Sequence, residues 1–415
     1  MRGAALIALL RCSAAFRIKT PACDLVRREI AAFARGPQVD PSSKLLVASF
    51  GGGGLGDQAS GFLGSLALAM LTSRRLAFAA DDAGAIVGAA LEPSFPVRRV
   101  ASPPPPPSHA ACADRNVSLA SLRVASDGAA ATDLYCAGHA LERAFGGGDD
   151  PRAFGRAANA FFAADVERVV PGNAGDRLLR HWFAAAANAT KASADLLELS
   201  ACALRAALKP SAAARAAAAA AAPWGGERPE RVVGVHVRAA RYLRGDAYGG
   251  ALDDAVFSCG DEANATDFAD VFAAAAEAER RLGGPATWLL LSDSAALKRA
   301  AVRAYPGKVA ATAAAPRHAA AAAAPCGRRL DGAAVDVAAE MLLLAASDAI
   351  VAGASRFATV ATFLCEPCAA AYRLAACPAG GGPRSVAAAC DAPAPGDVVG
   401  THVLLGALPL AHLVF

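Results

Sequence analysis

His236 and Arg238 stand two residues apart at the end of the run Val232-Val233-Gly234-Val235-His236-Val237-Arg238-Ala239. The run is apolar up to that point, as in a parallel strand covered on both faces. It ends by presenting an imidazole and a guanidinium, and ligands of open α/β sheets bind at the carboxyl ends of strands. A guanidinium fixed there suits a phosphate, because its planar fork donates two parallel charge-assisted hydrogen bonds. The chemistry implied is recognition of a phosphorylated ligand, a nucleotide first of all. The plainer alternative is a core strand with a packed His236 and a solvated Arg238.

The elements that must position these side chains follow in order. Phe268–Leu282 has helical spacing, and Thr287–Leu291 is a second apolar strand that stops at Ser292-Asp293-Ser294. A helix over Ala295–Tyr305 ends at Pro306-Gly307. Val309–Thr312 reads as a strand, Val335–Ala346 as a helix and Asp348–Ala352 as a strand. Gly353-Ala354-Ser355 then turns into a helix from Arg356. Strands alternating with helices predict a parallel α/β sheet. His236/Arg238, Ser292/Asp293 and Ser355 would converge on one crevice of it. The simple alternative is that Ser355 is a helix N-cap and Asp293 caps the Ala295 helix.

A similar unit precedes it. Leu45–Phe50 is a strand, Gly51–Gly54 with Gly56 a glycine-rich turn, Ala59–Leu71 a helix and Arg75–Ala80 a strand ending at Asp81-Asp82. Such a loop lets backbone N–H groups approach an anion at a helix N-terminus. Gly51-x-Gly53-x-x-Gly56 also satisfies the dinucleotide fingerprint, with Asp81 or Asp82 as a ribose ligand. On that reading the chain would be an NAD(P)-dependent oxidoreductase.

Between the units, Ser94–Asp133 reads as an irregular insertion around the five prolines Pro103–Pro107. Phe154–Leu208 reads as mainly helical, with Phe161, Phe162, Trp182, Phe183, Leu196 and Leu197 in its core. The expected layout is an N-terminal domain over 23–208, an Ala-rich connection over 209–230, a nucleotide domain over 231–378 and a tail over 379–415. A length of 415 residues favours two cores over one. A formal charge of +4 is too small to imply a nucleic-acid surface.

Eleven cysteines and the sequons at Asn116, Asn188 and Asn264 favour a secretory-pathway lumen, the Golgi or endoplasmic reticulum, where disulfides persist. Cys365-Glu-Pro-Cys368 has no second pair at zinc-finger spacing and reads as structural, as a local disulfide or as partners of Cys377 and Cys390. Residues 1–22 start Met1-Arg2 and then run apolar over Gly3–Leu10, as a signal peptide or truncated membrane anchor would.

Three motifs in order carry a resemblance. Val233-Gly-Val-His236-Val-Arg238, then Leu289-Leu-Leu-Ser292-Asp293-Ser294 with Leu297-Lys298 and Tyr305-Pro306, then Glu340-Met-Leu-Leu-Leu344 through Gly353-Ala-Ser355-Arg-Phe357, resemble the fucosyltransferases of the α1,6, plant xyloglucan and protein O-fucosyl type. Gly53-Gly54-Leu55-Gly56-Asp57-Gln58 is similar to the glycine loop of many such enzymes, so that Gly53, Gly54, Gly56 and Asp57 would lie near the donor phosphate. The likeness covers a little over a third of the chain.

The resemblance implies an α/β fold of two Rossmann-like domains facing a cleft (GT-B-like). It implies inverting transfer of L-fucose from GDP-fucose to a glycan or protein hydroxyl, with no metal cofactor. Arg238 would hold the donor pyrophosphate as the catalytic residue. His236, Asp293, Glu340 and Ser355 would complete the donor site, with Glu340 suited to the adjacent N–H donors of guanine. The chain departs from the family pattern in places. Ala239 stands where several relatives have a second arginine, although Arg241 and Arg244 follow. Glu340 replaces the usual Asp, and Asp336, four residues earlier on the same helical face, is an alternative. The family's second hydroxyl is split between Ser355 and Thr359, and Asp57-Gln58 stands where an Asn is common. Asp246, Asp253 and Asp254 read as solvated loop acids. A catalytically inactive relative that still binds nucleotide or carbohydrate is the remaining alternative.

Overall fold

The computed structural model describes residues 20–50, 54–80, 87–88, 90–101, 118–134, 138–145, 151–170, 175–187, 196–237, 269–292, 294–312, 333–352, 355–365 and 370–373. The chain divides into two compact units, one spanning Ile18–Pro210 and the other running on from Ser211.

The first unit comprises α1 (Pro21–Arg35), β1 (Leu45–Ala48), α2 (Leu55–Leu71), β2 (Arg75–Ala79), β3 (Leu91–Pro93), β4 (Arg98–Val100), β5 (Arg123–Ser126), β6 (Ala129–Asp133), α3 (Gly138–Phe145), α4 (Pro151–Phe161), β7 (Val166–Val170), α5 (Gly175–Ala186), α6 (Leu196–Ala207) and β8 (Leu208–Pro210). Six strands form one sheet in the order β4-β2-β1-β7-β6-β5, parallel except for the β5–β6 hairpin. The helix α2 is apolar around most of its circumference, and it is accordingly buried, packed on α5. A disulfide between Cys23 and Cys202 joins α1 to α6.

Two expectations for this unit are corrected. The segment Ser94–Asp133 is not simply an irregular insertion, because β4, β5 and β6 within it belong to the sheet. The two-residue turn Asp127-Gly128, with Gly128 at φ +69°, closes the β5–β6 hairpin. Gly128 takes the position that needs positive φ, which glycine adopts without a Cβ penalty. The segment Phe154–Leu208 is not purely helical either, since β7 lies between β1 and β6. Glu167 and Arg168 interrupt the apolar run of β7 and disguise it. Both are buried: Arg123 pairs with Glu167 at 2.7 Å, and Arg168 donates to Ser49 Oγ at 2.9 Å. Phe162, Trp182 and Phe183 are in the core as expected, and Phe161 is partly exposed. The side chains of Leu196 and Leu197 lie outside the described residues, as do Pro103–Pro107 and the three sequon asparagines.

The second unit comprises α7 (Ala212–Ala221), β9 (Val232–Val237), α8 (Ala269–Leu282), β10 (Thr287–Ser292), α9 (Ala295–Ala304), β11 (Val309–Ala311), α10 (Ala333–Ala345), β12 (Ala349–Ala352), α11 (Arg356–Leu364) and β13 (Ala370–Arg373). The five strands are parallel in the order β11-β10-β9-β12-β13. This is a doubly wound order whose direction reverses between β9 and β12. The Ala-rich tract forms α7, capped by Ser211, and packs on α10.

Alternation along β9 sorts its two faces. Val233, Val235 and Val237 pack with Phe272 of α8, Leu290 of β10 and Leu297 of α9. Gly234 faces α10, where an added Cβ would meet Leu344 Cδ1 and Ser347 Oγ, each at 2.6 Å. The missing side chain is what lets α10 lie close to the central strand.

Candidate functional site

His236, two residues on from Gly234, lies on the same face of β9. The helix α10 runs antiparallel to that strand. Just beyond its end the Asp348 N–H bonds the Val232 carbonyl at 2.8 Å, and Leu344 abuts Gly234. Glu340 is one turn back from Leu344, about 6 Å along the helix. His236 is about 6.6 Å along the strand from Gly234. The two shifts point the same way, so Glu340 and His236 stand at the same level, at the carboxyl edge of the sheet.

His236 is in register with Leu291 of β10 and Ala352 of β12, so it borders the reversal of strand order. Its ring stacks on Phe357 of α11, with centroids 5.0 Å apart and planes inclined by 24°. Ser355 is the N-cap of α11, its Oγ accepting the Ala358 N–H at 3.5 Å. Its carbonyl accepts the Thr359 hydroxyl at 3.0 Å. The capping alternative for Ser355 therefore holds, and the same residue brings a hydroxyl and a helix N-terminus to the edge, a setting that favours anions.

Glu340 is held by two neighbours. Its Oε1 lies 2.9 Å from Lys298 Nζ and accepts the Thr312 hydroxyl at 2.6 Å. Lys298 also donates to Thr312 Oγ1 at 2.9 Å, closing a triangle. Lys298 comes from α9 and Glu340 from α10, so the triangle links the helices of opposite faces across the end of β11. The Lys298 side chain is 5% exposed and that of Glu340 18%. These contacts of Glu340 all fall on Oε1; Oε2 carries none of them. Asp336 lies in the first turn of α10, one turn before Glu340.

Ser294, not Asp293, caps α9, its Oγ accepting the Leu297 N–H at 3.0 Å. Asp293 itself lies outside the described residues. So do Arg238, Arg241, Arg244, Asp246, Asp253 and Asp254, the chain after Val237. In the first unit, Gly51, Gly53, Asp81 and Asp82 are likewise outside them. Gly54 is the N-cap of α2, and Gly56 and Asp57 fall in its first turn rather than in the loop, because that helix starts four residues before Ala59. Gln58 is buried and accepts the Val87 N–H at 3.3 Å, a structural contact.

In the sequence Lys298 stands within a motif and Thr312 at the end of a predicted strand, and neither is marked as part of a site. A signal existed. Lys298 stands near the N-terminus of a helix, where the macrodipole disfavours a cation, so a specific acidic partner was to be expected.

Among the described residues, no group of three or more His, Cys, Asp or Glu is placed to hold a metal ion. No helix among them is long and apolar enough to cross a membrane.

Fold and edge together define a doubly wound α/β unit with polar side chains gathered at its switch point, the usual place for a ligand in such sheets. No family model matches the chain, and no curated protein matches it. Among solved structures it is similar to a NodZ α-1,6-fucosyltransferase soaked with GDP-fucose, at 15% identity and TM-score 0.44, covering 80% of this chain and 95% of that one. The selenomethionine form of NodZ fucosyltransferase from Bradyrhizobium gives the same identity, coverage and TM-score. A mutant of Arabidopsis thaliana FUT1 in complex with GDP matches at 13% identity and TM-score 0.48, covering 93% of this chain and 81% of that one.

Proposed function

We propose that the chain is an inverting glycosyltransferase that moves L-fucose from GDP-fucose to a hydroxyl of a glycan or glycoprotein. One observation carries the reading: Glu340 is held at the carboxyl edge, level with the His236–Phe357 stack at the strand-order reversal. A carboxylate there accepts from the adjacent N1–H and amino group of guanine. Arg238 follows Val237 directly in the chain and would meet the pyrophosphate. In the transfer, the acceptor oxygen bonds to the anomeric carbon as the bond from that carbon to the β-phosphate oxygen breaks. The electron pair leaves with GDP, and the acceptor's proton passes to a base. Charge grows on the departing phosphate, so a fixed arginine stabilises the transition state more than the ground state. Ser355 adds a hydroxyl and the N-terminus of α11. The fucosyl group itself rests on the resemblance of the three motifs. The Cys23–Cys202 disulfide and the disulfide-bonded state of Cys365 support an oxidising lumen.

The test is release of GDP from GDP-fucose in the presence of a panel of glycan and glycoprotein acceptors. Arg238→Ala should abolish release while leaving the melting temperature within a degree or two of wild type. A melting temperature that collapses in the variant would make Arg238 structural.

A further inference from the structure

The triangle of Lys298, Thr312 and Glu340 is expensive as a stabilising device. Desolvating an ammonium and a carboxylate commonly offsets their attraction, and apolar residues of like volume often serve stability as well. Three further features point to a role beyond packing. The triangle stands at the edge where the proposed donor site lies rather than in the middle of the sheet. Both donors converge on one oxygen, Oε1. The Glu340 side chain keeps 18% of its surface exposed while Lys298 keeps 5%, so the open side of the group is the acid's.

We propose that Lys298 and Thr312 are positioning residues that fix the Glu340 carboxylate as a reader of the nucleobase, with Oε2 as its open acceptor. With Oε1 held by an ammonium and a hydroxyl, the carboxylate plane cannot rotate freely. Oε2, which carries none of these contacts, is then presented in one orientation and can accept from a base edge with two neighbouring donors. Guanine offers such an edge; hypoxanthine offers only the ring N–H, and uracil flanks its N–H with acceptors. The inference rests on the donor reading above and adds which residues set its selectivity.

The experiment is calorimetric titration of the full chain with GDP, IDP and UDP, for wild type, Lys298→Met, Lys298→Arg and Thr312→Val. Hydrogen bonds to charged groups contribute about 1.5–3 kcal/mol, so loss of one aligned donor–acceptor pair corresponds to roughly tenfold to hundredfold in affinity. Wild type should prefer GDP to IDP by about that ratio. In Lys298→Met the ratio should fall towards unity, through loss of GDP affinity with little change for IDP. Lys298→Arg, which keeps a buried cation, should restore most of it. Thr312→Val keeps the shape and removes one donor, and should lie between. An unchanged GDP-to-IDP ratio in folded Lys298→Met and Thr312→Val would overturn the proposal and leave the donor reading standing. Unfolding of both variants would make the triangle purely structural and overturn it as well. No binding of GDP by wild type would overturn the donor reading and the proposal together.

Discussion

In the first sheet charged residues sit in the body of a strand; in the second, polar residues gather at the carboxyl ends of the strands. Glu167 and Arg168 occupy the middle of β7, in register with Leu46 and Val47 of β1. Their partners, Arg123 and Ser49, come from the same unit. Such groups are consumed by the fold. In the second unit β9, β10 and β12 are apolar along most of their lengths, and polar groups appear at His236, Ser292 and Ser355, in the last two residues of a strand or just beyond one. Polar side chains there are not needed to satisfy the sheet. Buried charge alone therefore does not mark a site; its position along the strand does.

The contrast makes graded predictions. Glu167→Ala leaves Arg123 without its buried partner and should cost about 3–5 kcal/mol in chemical denaturation. A cost under about 1 kcal/mol would class that pair with surface bridges. Gly234→Ala forces a Cβ against Leu344 and Ser347 and should cost about 1–3 kcal/mol, with nucleotide binding weakened because α10 carries Glu340. Ser355→Ala should cost about 1 kcal/mol by loss of the cap, with a larger proportional loss of donor affinity. Glu340→Gln leaves the buried Lys298 ammonium without its counter-charge, so it should lower stability as well, and it should abolish GDP binding, since an amide N–H then faces the donors of the base.

A pH effect belongs at the opposite end of the second sheet. Burial alone would raise the Glu279 carboxyl, but hydrogen bonds from Lys308, the Ala286 N–H and the Trp288 indole outweigh it and hold the group below its ordinary range. A depressed folded value gives stability that is full above the unfolded pKa, about 4.3. It is lost as pH falls through the folded value. The melting-temperature gap between wild type and Glu279→Gln should close as pH drops below about 4, and a gap independent of pH would contradict this.

The second sheet was readable because its strands are uniform apolar runs that stop at polar residues. The first was only half readable. Val166–Val170 hides a central strand behind Glu167 and Arg168, whose partners lie 44 and 119 residues away. The Ala-rich β6 has little β-branched character, yet the Asp127-Gly128 turn before it was a usable signal. At the site, His236, Glu340 and Ser355 could be named from sequence, whereas the hold on Glu340 could not. Lys298 and Thr312 are 42 and 28 residues from it and meet it only when β11 and α10 are in place.

The most direct test is ligand-induced thermal stabilisation of the purified chain with GDP, UDP and NAD side by side, using Glu340→Gln and Arg238→Ala as controls. A specific ligand at a hundredfold excess over its dissociation constant stabilises by about 2.7 kcal/mol. The account predicts a shift with GDP alone, lost in both variants. A shift with NAD alone would contradict it in favour of a dehydrogenase, and a GDP shift preserved in Glu340→Gln would place the nucleotide elsewhere.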